Sequence, residues 1–167
     1  GDFKNNDKVE ETKEGLDFFG NEENAYHVLL IIHLTKSTVI NGFTITGGNA
    51  NGSDAIVYKK DTINKNLGGA MFSNYGIDIN IAHCIFKKNN AFRGGAIYNK
   101  ESSPIYSHCV FLKNKGSRGG AQYNSYNSKP KIRDCIFYNN VSTRVGGGLY
   151  NKGTNTDLNI SNCIFYK

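Results

Sequence analysis

The stretch Gly94-Gly95-Ala96-Ile97-Tyr98-Asn99 decides the fold, because near copies of it recur along the chain. The copies are GGAMFS, GGAQYN and GGGLYN, which begin at Gly68, Gly119 and Gly146. Successive glycine pairs are therefore separated by 26, 25 and 27 residues. A fixed period of this length predicts a solenoid, in which each repeat buries its apolar face only against its neighbours.

A second string recurs between the glycine pairs and reads IAHCIF, YSHCVF, IRDCIF and ISNCIF. A diverged earlier copy is INGFTI, which runs from Ile40 to Ile45. The residue before the cysteine position belongs in every copy to a type that tolerates left-handed backbone, which predicts a sharp bend between two strands. The five residues at this bend position are Gly42, His83, His108, Asp134 and Asn162.

Three apolar positions repeat with the same period and predict stacked columns. The first column precedes the cysteine by three residues, the second follows it by two, and the third is the aromatic residue of the glycine string. The columns are Ile40, Ile81, Tyr106, Ile132 and Ile160; Ile45, Phe86, Phe111, Phe137 and Phe165; and Phe72, Tyr98, Tyr123 and Tyr150. The polar residue after each third-column member, Ser73, Asn99, Asn124 or Asn151, suits a side-chain ladder.

The period thus predicts three short strands per repeat and an all-β fold, a right-handed parallel β-helix of about five coils of 25–28 residues. We expect this domain to span residues 25–167 and to be a fragment of a longer chain. Residues 1–24 carry eight acidic residues against three lysines, whereas residues 25–167 carry 17 Lys and Arg against six acids. The acidic segment is therefore predicted to be loosely ordered or the remnant of an earlier coil.

The repeats resemble a known family in two paired motifs, Phe-x-x-Asn and Gly-Gly-Ala-Ile. They occur as Phe86-Lys-Lys-Asn89 with Gly94-Gly95-Ala96-Ile97, and twice more from Phe111 and Phe137. These motifs are similar to the repeats of the polymorphic outer membrane proteins, chlamydial-type autotransporter adhesins. The resemblance implies a secreted or cell-surface β-helix, associated with a bacterial outer membrane and in some members an adhesin. The resemblance does not extend to the C-terminal membrane barrel of the autotransporter type, which leaves the mode of anchoring open.

The basic residues near the glycine pairs suggest a ligand-binding edge. Arg93, Arg118 and Arg144 precede three successive glycine pairs, so we expect them to stack into a ladder, with Lys113 and Lys115 nearby. Such a ladder could bind a carboxylated or sulfated polysaccharide, although a solvated edge explains the same charges. Nucleic acid is not an expected partner, because the aromatic residues do not alternate with the basic edge as stacking platforms would.

A second surface alternates with the inward Cys and Phe columns and becomes more apolar toward the C-terminus. Its hypothetical partner-binding residues are Ile136, Tyr138, Ile164 and Tyr166. An exposed apolar strip favours contact with a host or cell-surface component, but β-propensity alone also selects Ile and Val there. The open ends of the β-helix offer another route to association. No stretch is apolar for long enough to span a bilayer as a helix.

Catalytic and metal-binding motifs are absent from the sequence, so we expect no catalytic residues, no metal and no cofactor. The six acids of residues 25–167 fall in different columns, and no pair has the spacing that two-carboxylate hydrolysis needs. Four cysteines, Cys84, Cys109, Cys135 and Cys163, spread along the stack and fit buried thiols, with disulfides between coils as the alternative. Only residues 51–67 break the period and form a candidate site loop.

These observations favour a non-enzymatic module for adhesion or glycan binding. The alternative is a polysaccharide lyase or hydrolase of the β-helix type. Its active site would lie around residues 51–67 or outside the segment.

Overall fold

The computed structural model describes residues 8–12 and 15–167, and within them the fold is all-β. No helix in these residues is long and apolar enough to cross a membrane. The strands in chain order are β1 (Lys8–Thr12), β2 (Gly15–Phe19), β3 (Leu29–Ile32), β4 (Thr38–Asn41), β5 (Thr44–Thr46), β6 (Asn49–Ala50), β7 (Ala55–Tyr58), β8 (Asp61–Asn64), β9 (Met71–Asn74), β10 (Ile79–Ala82), β11 (Ile85–Lys87), β12 (Asn90–Arg93), β13 (Ile97–Lys100), β14 (Ile105–Ser107), β15 (Val110–Leu112), β16 (Lys115–Arg118), β17 (Gln122–Ser125), β18 (Lys131–Arg133), β19 (Ile136–Tyr138), β20 (Val141–Val145), β21 (Leu149–Lys152), β22 (Asn159–Ser161) and β23 (Ile164–Tyr166).

Four parallel sheets surround the interior of the solenoid. Sheet I contains β3, β9, β13, β17 and β21; sheet II contains β4, β10, β14, β18 and β22; sheet III contains β5, β11, β15, β19 and β23; and sheet IV contains β6, β12, β16 and β20. Each turn of the chain adds one strand to every sheet in that order, so four complete turns are followed by three strands of a fifth. The predicted parallel β-helix of about five coils is confirmed.

The prediction of three strands per coil is wrong, because a fourth bend separates sheet III from sheet IV. The residue at this bend is Gly47, Lys88, Lys113 or Asn139, with φ of 73°, 54°, 52° and 51°. Lysine is not a residue type that signals left-handed backbone. The sequence therefore gave no consistent sign of this corner.

The predicted bend between sheets II and III is confirmed. Gly42, His83, His108, Asp134 and Asn162 all have positive φ, between 48° and 77°. Asn, Asp and His adopt this region more readily than other non-glycine residues. This column therefore repeats a backbone conformation rather than one side chain, and its two histidines share their position with Gly, Asp and Asn.

The glycine pairs form the bend between sheets IV and I, where a side chain has no room. The first glycine of each pair has φ between 64° and 70°. A Cβ on Gly69, Gly95 or Gly120 would collide with backbone oxygens of neighbouring coils, at 2.2 Å from Gly120 O in the case of Gly95, whereas a Cβ on Gly147 would meet only Asn140 O at 3.3 Å. Each coil therefore packs directly on the backbone of the next at this corner.

The interior contains stacked columns in the predicted register. Phe86, Phe111, Phe137 and Phe165 are consecutive register partners, and their ring centroids are 5.0, 4.4 and 4.5 Å apart with nearly parallel planes. The column that contains Tyr106 lies beside them and is also in register. Burying one aromatic side chain of this size contributes about 1.5–3 kcal/mol, so the columns are a major source of stability.

The third predicted column is in register but lies outside the main core. Its members Phe72, Tyr98 and Tyr123 belong to a separate buried cluster with Ile63 and Leu67. The preceding positions, such as Ile97, occupy the main core instead. Strand alternation places Tyr98 on the opposite face from Ile97, and the inserted segment covers this outer face.

Two ladders of amide side chains run between coils. In one, Asn99 Nδ2 donates to Asn124 Oδ1 at 2.8 Å, and Asn124 Nδ2 donates to Asn151 Oδ1 at 2.7 Å. The predicted ladder is therefore confirmed for these three residues, whereas Ser73 donates to Ser102 Oγ at 2.9 Å instead. In the other, Asn89 Nδ2 donates to Asn114 Oδ1 at 3.0 Å, and Asn114 Nδ2 donates to Asn140 Oδ1 at 2.9 Å. Because an unpaired buried amide costs about 1–3 kcal/mol, each ladder fixes the register of its coils.

The cysteine column lies mostly in the core and forms no disulfide within the described residues. Cys84, Cys109 and Cys135 are almost fully buried, Cys163 is partly exposed, and all four are free thiols. Their sulfurs contact backbone carbonyls, as in the 3.5 Å contact from Cys109 Sγ to Ile81 O. The hydrogen bond with the Cys109 thiol, together with burial, raises the pKa of Cys135, so its thiol stays protonated at neutral pH.

The described part of the acidic segment forms an antiparallel hairpin of β1 and β2, with Lys8 opposite Phe19 and Thr12 opposite Gly15. Leu16 is only 2% exposed, which shows that the hairpin packs on the solenoid. It adds no strand to any of the four parallel sheets. Its antiparallel pairing distinguishes it from a coil of the β-helix.

The close packing of glycine backbones gives a matched pair of substitutions. Gly95→Ala should destabilise the fold by about 3 kcal/mol or more, because its Cβ would collide with backbone that cannot move independently. Gly42→Asn should change stability by no more than about 0.5 kcal/mol, because its Cβ meets nothing within 4 Å and the equivalent residue in another coil is Asn162. Urea unfolding followed by circular dichroism measures both. Equal losses in the two variants would contradict this account.

Candidate functional site

The predicted arginine ladder is only partly formed. Arg93 and Arg118 are register partners in sheet IV. The next partner of Arg118 is Val145, because the register shifts between Gly116 and Arg118. Arg144 is exposed and lies out of line with the other two. The shift arises from one extra residue in β20, and the sequence contains its sign, since Val145 separates Arg144 from its glycine pair whereas Arg93 and Arg118 directly precede theirs.

Arg93 is held against aromatic rings at the corner between sheets IV and I. Its guanidinium lies 5.6 Å from the ring centroid of Phe92 and 5.7 Å from that of Tyr123. Burial raises the pKa of the Tyr98 hydroxyl, and Ser125 and Arg93 partly offset that effect. Cation–π contacts of this kind each contribute about 0.5–2 kcal/mol. Part of the predicted ligand-binding edge therefore stabilises the fold.

The antiparallel hairpin of β1 and β2, which we call the strap, neutralises two of the predicted ligand-binding lysines. Lys113 Nζ lies 2.7 Å from Glu11 Oε1, and Lys115 Nζ lies 3.4 Å from Asp17 Oδ1. Asn139 Nδ2 also donates to Glu11 Oε1 at 3.1 Å. Residue-level sequence reasoning missed these pairs, which join positions about a hundred residues apart. The opposite charges of residues 1–24 and 25–167 were the available signal.

The strap crosses several coils at the corner between sheets III and IV. Its residues line small surface cavities with Lys87 and Lys88 of the second coil and with Tyr138 and Asn139 of the fourth. Its carboxylates contact lysines of the third coil that lie between these positions. The strap therefore runs roughly along the solenoid axis and covers part of the basic surface.

The inserted residues 51–67 form a second hairpin, β7 and β8, on the opposite side of sheet IV. Ile63 and Leu67 pack on the outer aromatic column of sheet I. Asp61, at the start of β8, accepts a hydrogen bond from Asn74 Nδ2 at 2.9 Å and lies 2.8 Å from His33 Nε2. These contacts fix the insertion to the first two coils. The sequence identified the segment as irregular but gave no sign of its aromatic contacts.

A trough lies over the outer face of sheet IV between the strap and the insertion. One part, next to the insertion, has a volume of about 470 Å³, and an adjoining part beside the strap has about 290 Å³. Asn51, Asn90 and Lys115 line both parts. The first part is also lined by Gly52, Ser53, Asn66, Phe92, Ser117 and Thr143.

The trough combines one exposed aromatic ring with fixed amides and hydroxyls. Phe92 is 39% exposed and is the aromatic residue of the larger part. Asn90 Nδ2 donates to Asn49 Oδ1 at 3.0 Å, and Asn49 Nδ2 donates to Asn21 O at 2.8 Å, so these amides are held in place. An apolar surface beside oriented polar groups suits a sugar ring, which has apolar C–H faces and hydroxyl edges. The sequence did not predict Phe92 as a site residue.

The predicted partner-binding strip on sheet III differs in exposure along its length. Ile164 and Tyr166 are 58% and 52% exposed, whereas Ile136 and Tyr138 are half-buried. The Tyr138 and Tyr166 rings stack at 4.5 Å. Tyr138 lines a cavity with Leu16 of the strap. The chain itself therefore covers part of this strip.

Within residues 8–12 and 15–167, no three His, Cys, Asp or Glu side chains are grouped so as to hold a metal ion. His83 and His108 stack edge to face at 4.9 Å, and His108 lies 3.6 Å from Asp134. These side chains project from the left-handed bend and share no further carboxylate in the described part of the chain.

Comparison with known proteins gives one match. The family model described as a right-handed β-helix region matches residues 15–167. No curated protein and no solved structure matches the chain. The matched range contains the strap's second strand, the insertion and every coil described above.

The attachment of the strap should depend on pH through Glu11. The hydrogen bond and charge of Lys113 lower the pKa of Glu11 from its ordinary value of 4.5, with smaller contributions from Asn139 and Lys167, and burial opposes them. A lowered pKa means that the attraction is complete above pH 4.5 and is lost as the pH falls through the lower, folded-state value. Lys113→Gln should therefore move the Glu11 pKa up toward 4.5.

The titration is measured by NMR from the side-chain carboxyl carbon of Glu11. Lys131→Gln is the control, because Lys131 lies in sheet II away from the strap and its loss removes the same charge. An identical Glu11 midpoint in the wild type and in Lys113→Gln would contradict the pairing.

Proposed function

The chain belongs to the family of right-handed β-helix regions, and from that premise we propose that it is a non-enzymatic carbohydrate-binding module. We further propose that it is secreted or displayed on the cell surface, where it serves adhesion. The trough over sheet IV is the observation that carries this proposal. It is open along its length, so a glycan chain can lie across the coils between the strap and the insertion.

The groups that line the trough support binding rather than cleavage. The part next to the insertion is lined by amides, hydroxyls, one ammonium and the Phe92 ring, and by no Asp or Glu in the described residues. The part beside the strap is lined by a single carboxylate among those residues, Asp17, which is paired with Lys115. Hydrolysis of a glycosidic bond usually takes two carboxyl groups that face each other across the sugar. Stacking of a sugar on Phe92 needs neither, and Ser117 and Thr143 offer hydroxyls to the sugar edge.

The charge of the domain supports an acidic glycan as the ligand. Residues 25–167 carry 17 Lys and Arg against six acids. Arg93 and Arg118 lie at the corner next to Phe92, with Arg93 in contact with that ring. A positive surface attracts acidic chains over a distance and raises their rate of association. Display outside the cell, including outer-membrane association, is supported by the resemblance of the repeats to those of polymorphic outer membrane proteins.

A second candidate function is cleavage of an acidic polysaccharide beside residues 51–67. The specific observation that favours it is the pair of Asp61 and His33, whose Oδ2 and Nε2 atoms are 2.8 Å apart. The Asp61 side chain is 8% exposed and that of His33 is 55% exposed, so the histidine is accessible to a substrate. Such a pair could act as a general base. Asp61 also accepts a hydrogen bond from Asn74, so the same pair is explained as a contact that attaches β8 of the insertion to the coils.

Phe92→Ala should weaken binding of the recognised glycan by about tenfold, because the ring supplies the apolar stacking surface. Affinity is measured by calorimetry, with ligands first identified on a glycan array. Phe43→Ala is the matched control, since Phe43 is 61% exposed and lies outside the trough. Unchanged affinity in Phe92→Ala would remove the trough as the site. Release of new reducing or unsaturated ends from the same glycan would favour the second candidate.

Arg118→Ala should lower the salt concentration at which the protein elutes from heparin or polyuronate resin. Loss of one cation from the corner beside the trough reduces the number of counterions released when a polyanion binds. Arg133→Ala is the control, because Arg133 is an exposed arginine of sheet II. Equal elution of the two variants would exclude the arginine edge from binding.

A further inference from the structure

A small cavity near the start of the strap brings three lysines together. It has a volume of about 170 Å³, and its lining includes Lys8 of the strap with Lys87 and Lys88 of the second coil. No Asp or Glu of the described residues lines it. In those same residues no salt bridge joins any of the three lysines to a carboxylate.

The cavity departs from the charge pattern of the rest of the strap. One coil further on, the strap places Glu11 opposite Lys113 and Asp17 opposite Lys115. Lys88 and Lys113 occupy equivalent left-handed bend positions, with φ of 54° and 52°. Opposite Lys88, however, the strap contributes Lys8 to the cavity. Like charges held close together repel, and a bound anion relieves that repulsion.

We propose that this cavity binds a tetrahedral oxyanion, a sulfate or phosphate ester group carried by the glycan. Three ammonium groups can each donate to a separate oxygen of such a group, whereas a carboxylate offers two oxygens and pairs best with the planar fork of arginine. The volume accommodates one ester group and a few waters, since a water takes up about 30 Å³ in the liquid.

The cavity adjoins the trough. Phe18, Phe19 and Asn21 line both the lysine cavity and the part of the trough beside the strap. A glycan that stacks on Phe92 can therefore extend past the strap and place a charged substituent among the lysines. This inference rests on the proposed function and specifies its ligand as a sulfated or phosphorylated glycan.

The test compares the wild type with the double variant Lys87→Gln/Lys88→Asn, in which Asn has a precedent at the equivalent bend position in Asn139. The control is Lys59→Gln/Lys60→Gln, which removes the same charge from the turn of the insertion. The probes are heparin oligosaccharides, the same oligosaccharides after desulfation, and a phosphorylated mannan. Kd is measured for each at one fixed ionic strength.

The wild type and the control should bind a sulfated or a phosphorylated probe at least about tenfold more tightly than the desulfated one, and the double variant should lose that preference. Preference for heparin assigns the cavity to sulfate, and preference for the mannan assigns it to phosphate. A preference kept by the double variant, or equal binding of all probes by the wild type, overturns the inference while leaving glycan binding intact. Absence of binding to any probe in the wild type, or equal affinity of Phe92→Ala, tells against the proposed function instead.

Discussion

Direct contact between backbones of successive coils is the constraint on which the structure depends. At the corner between sheets IV and I, a Cβ on Gly69, Gly95 or Gly120 would lie within 2.7 Å of a carbonyl oxygen of an adjacent coil. The coils can approach this closely only if each is in register with the next. That register in turn aligns the Phe rings and the Asn amides. If a coil slips by one residue, the Asn side chains lose their hydrogen-bond partners in the next coil. Packing, hydrogen bonding and chain geometry therefore select the same alignment.

Much of this could be predicted from the sequence, because every structural position is sampled several times. Five residues at one bend, from Gly42 to Asn162, share a left-handed conformation that no single residue would reveal. The same repetition identified the Phe column and the ladder through Asn99. The repetition did not distinguish the main core from the outer face of sheet I, because both environments accept the same residue type. Tyr98 belongs to an apolar column, but its outer position depends on Ile63 and Leu67 from the insertion, and nothing in the repeat encodes that contact.

The candidate site was less predictable, since its parts come from the segments that do not repeat. Arg144 leaves the arginine line because β20 contains one more residue than β16, which shifts the register beyond Gly116. Lys113 and Lys115 form ion pairs with carboxylates of the strap, which lie far from them in sequence. Such contacts carry no periodic signal and follow only from overall charge asymmetry. The repeats form the floor of the trough, and the strap and the insertion form its two sides.

The position of the strap explains why a basic domain carries an acidic segment at all. A solenoid whose lysines recur at the same bend accumulates like charges along one edge, and their repulsion opposes the close stacking that the glycine corner requires. Glu11 and Asp17 offset that repulsion at the third coil. At the second coil the described part of the strap places Lys8, rather than a carboxylate, in the cavity with Lys87 and Lys88. The described part of the strap thereby leaves positive charge beside the trough, where the acidic ligand that we propose would offset it.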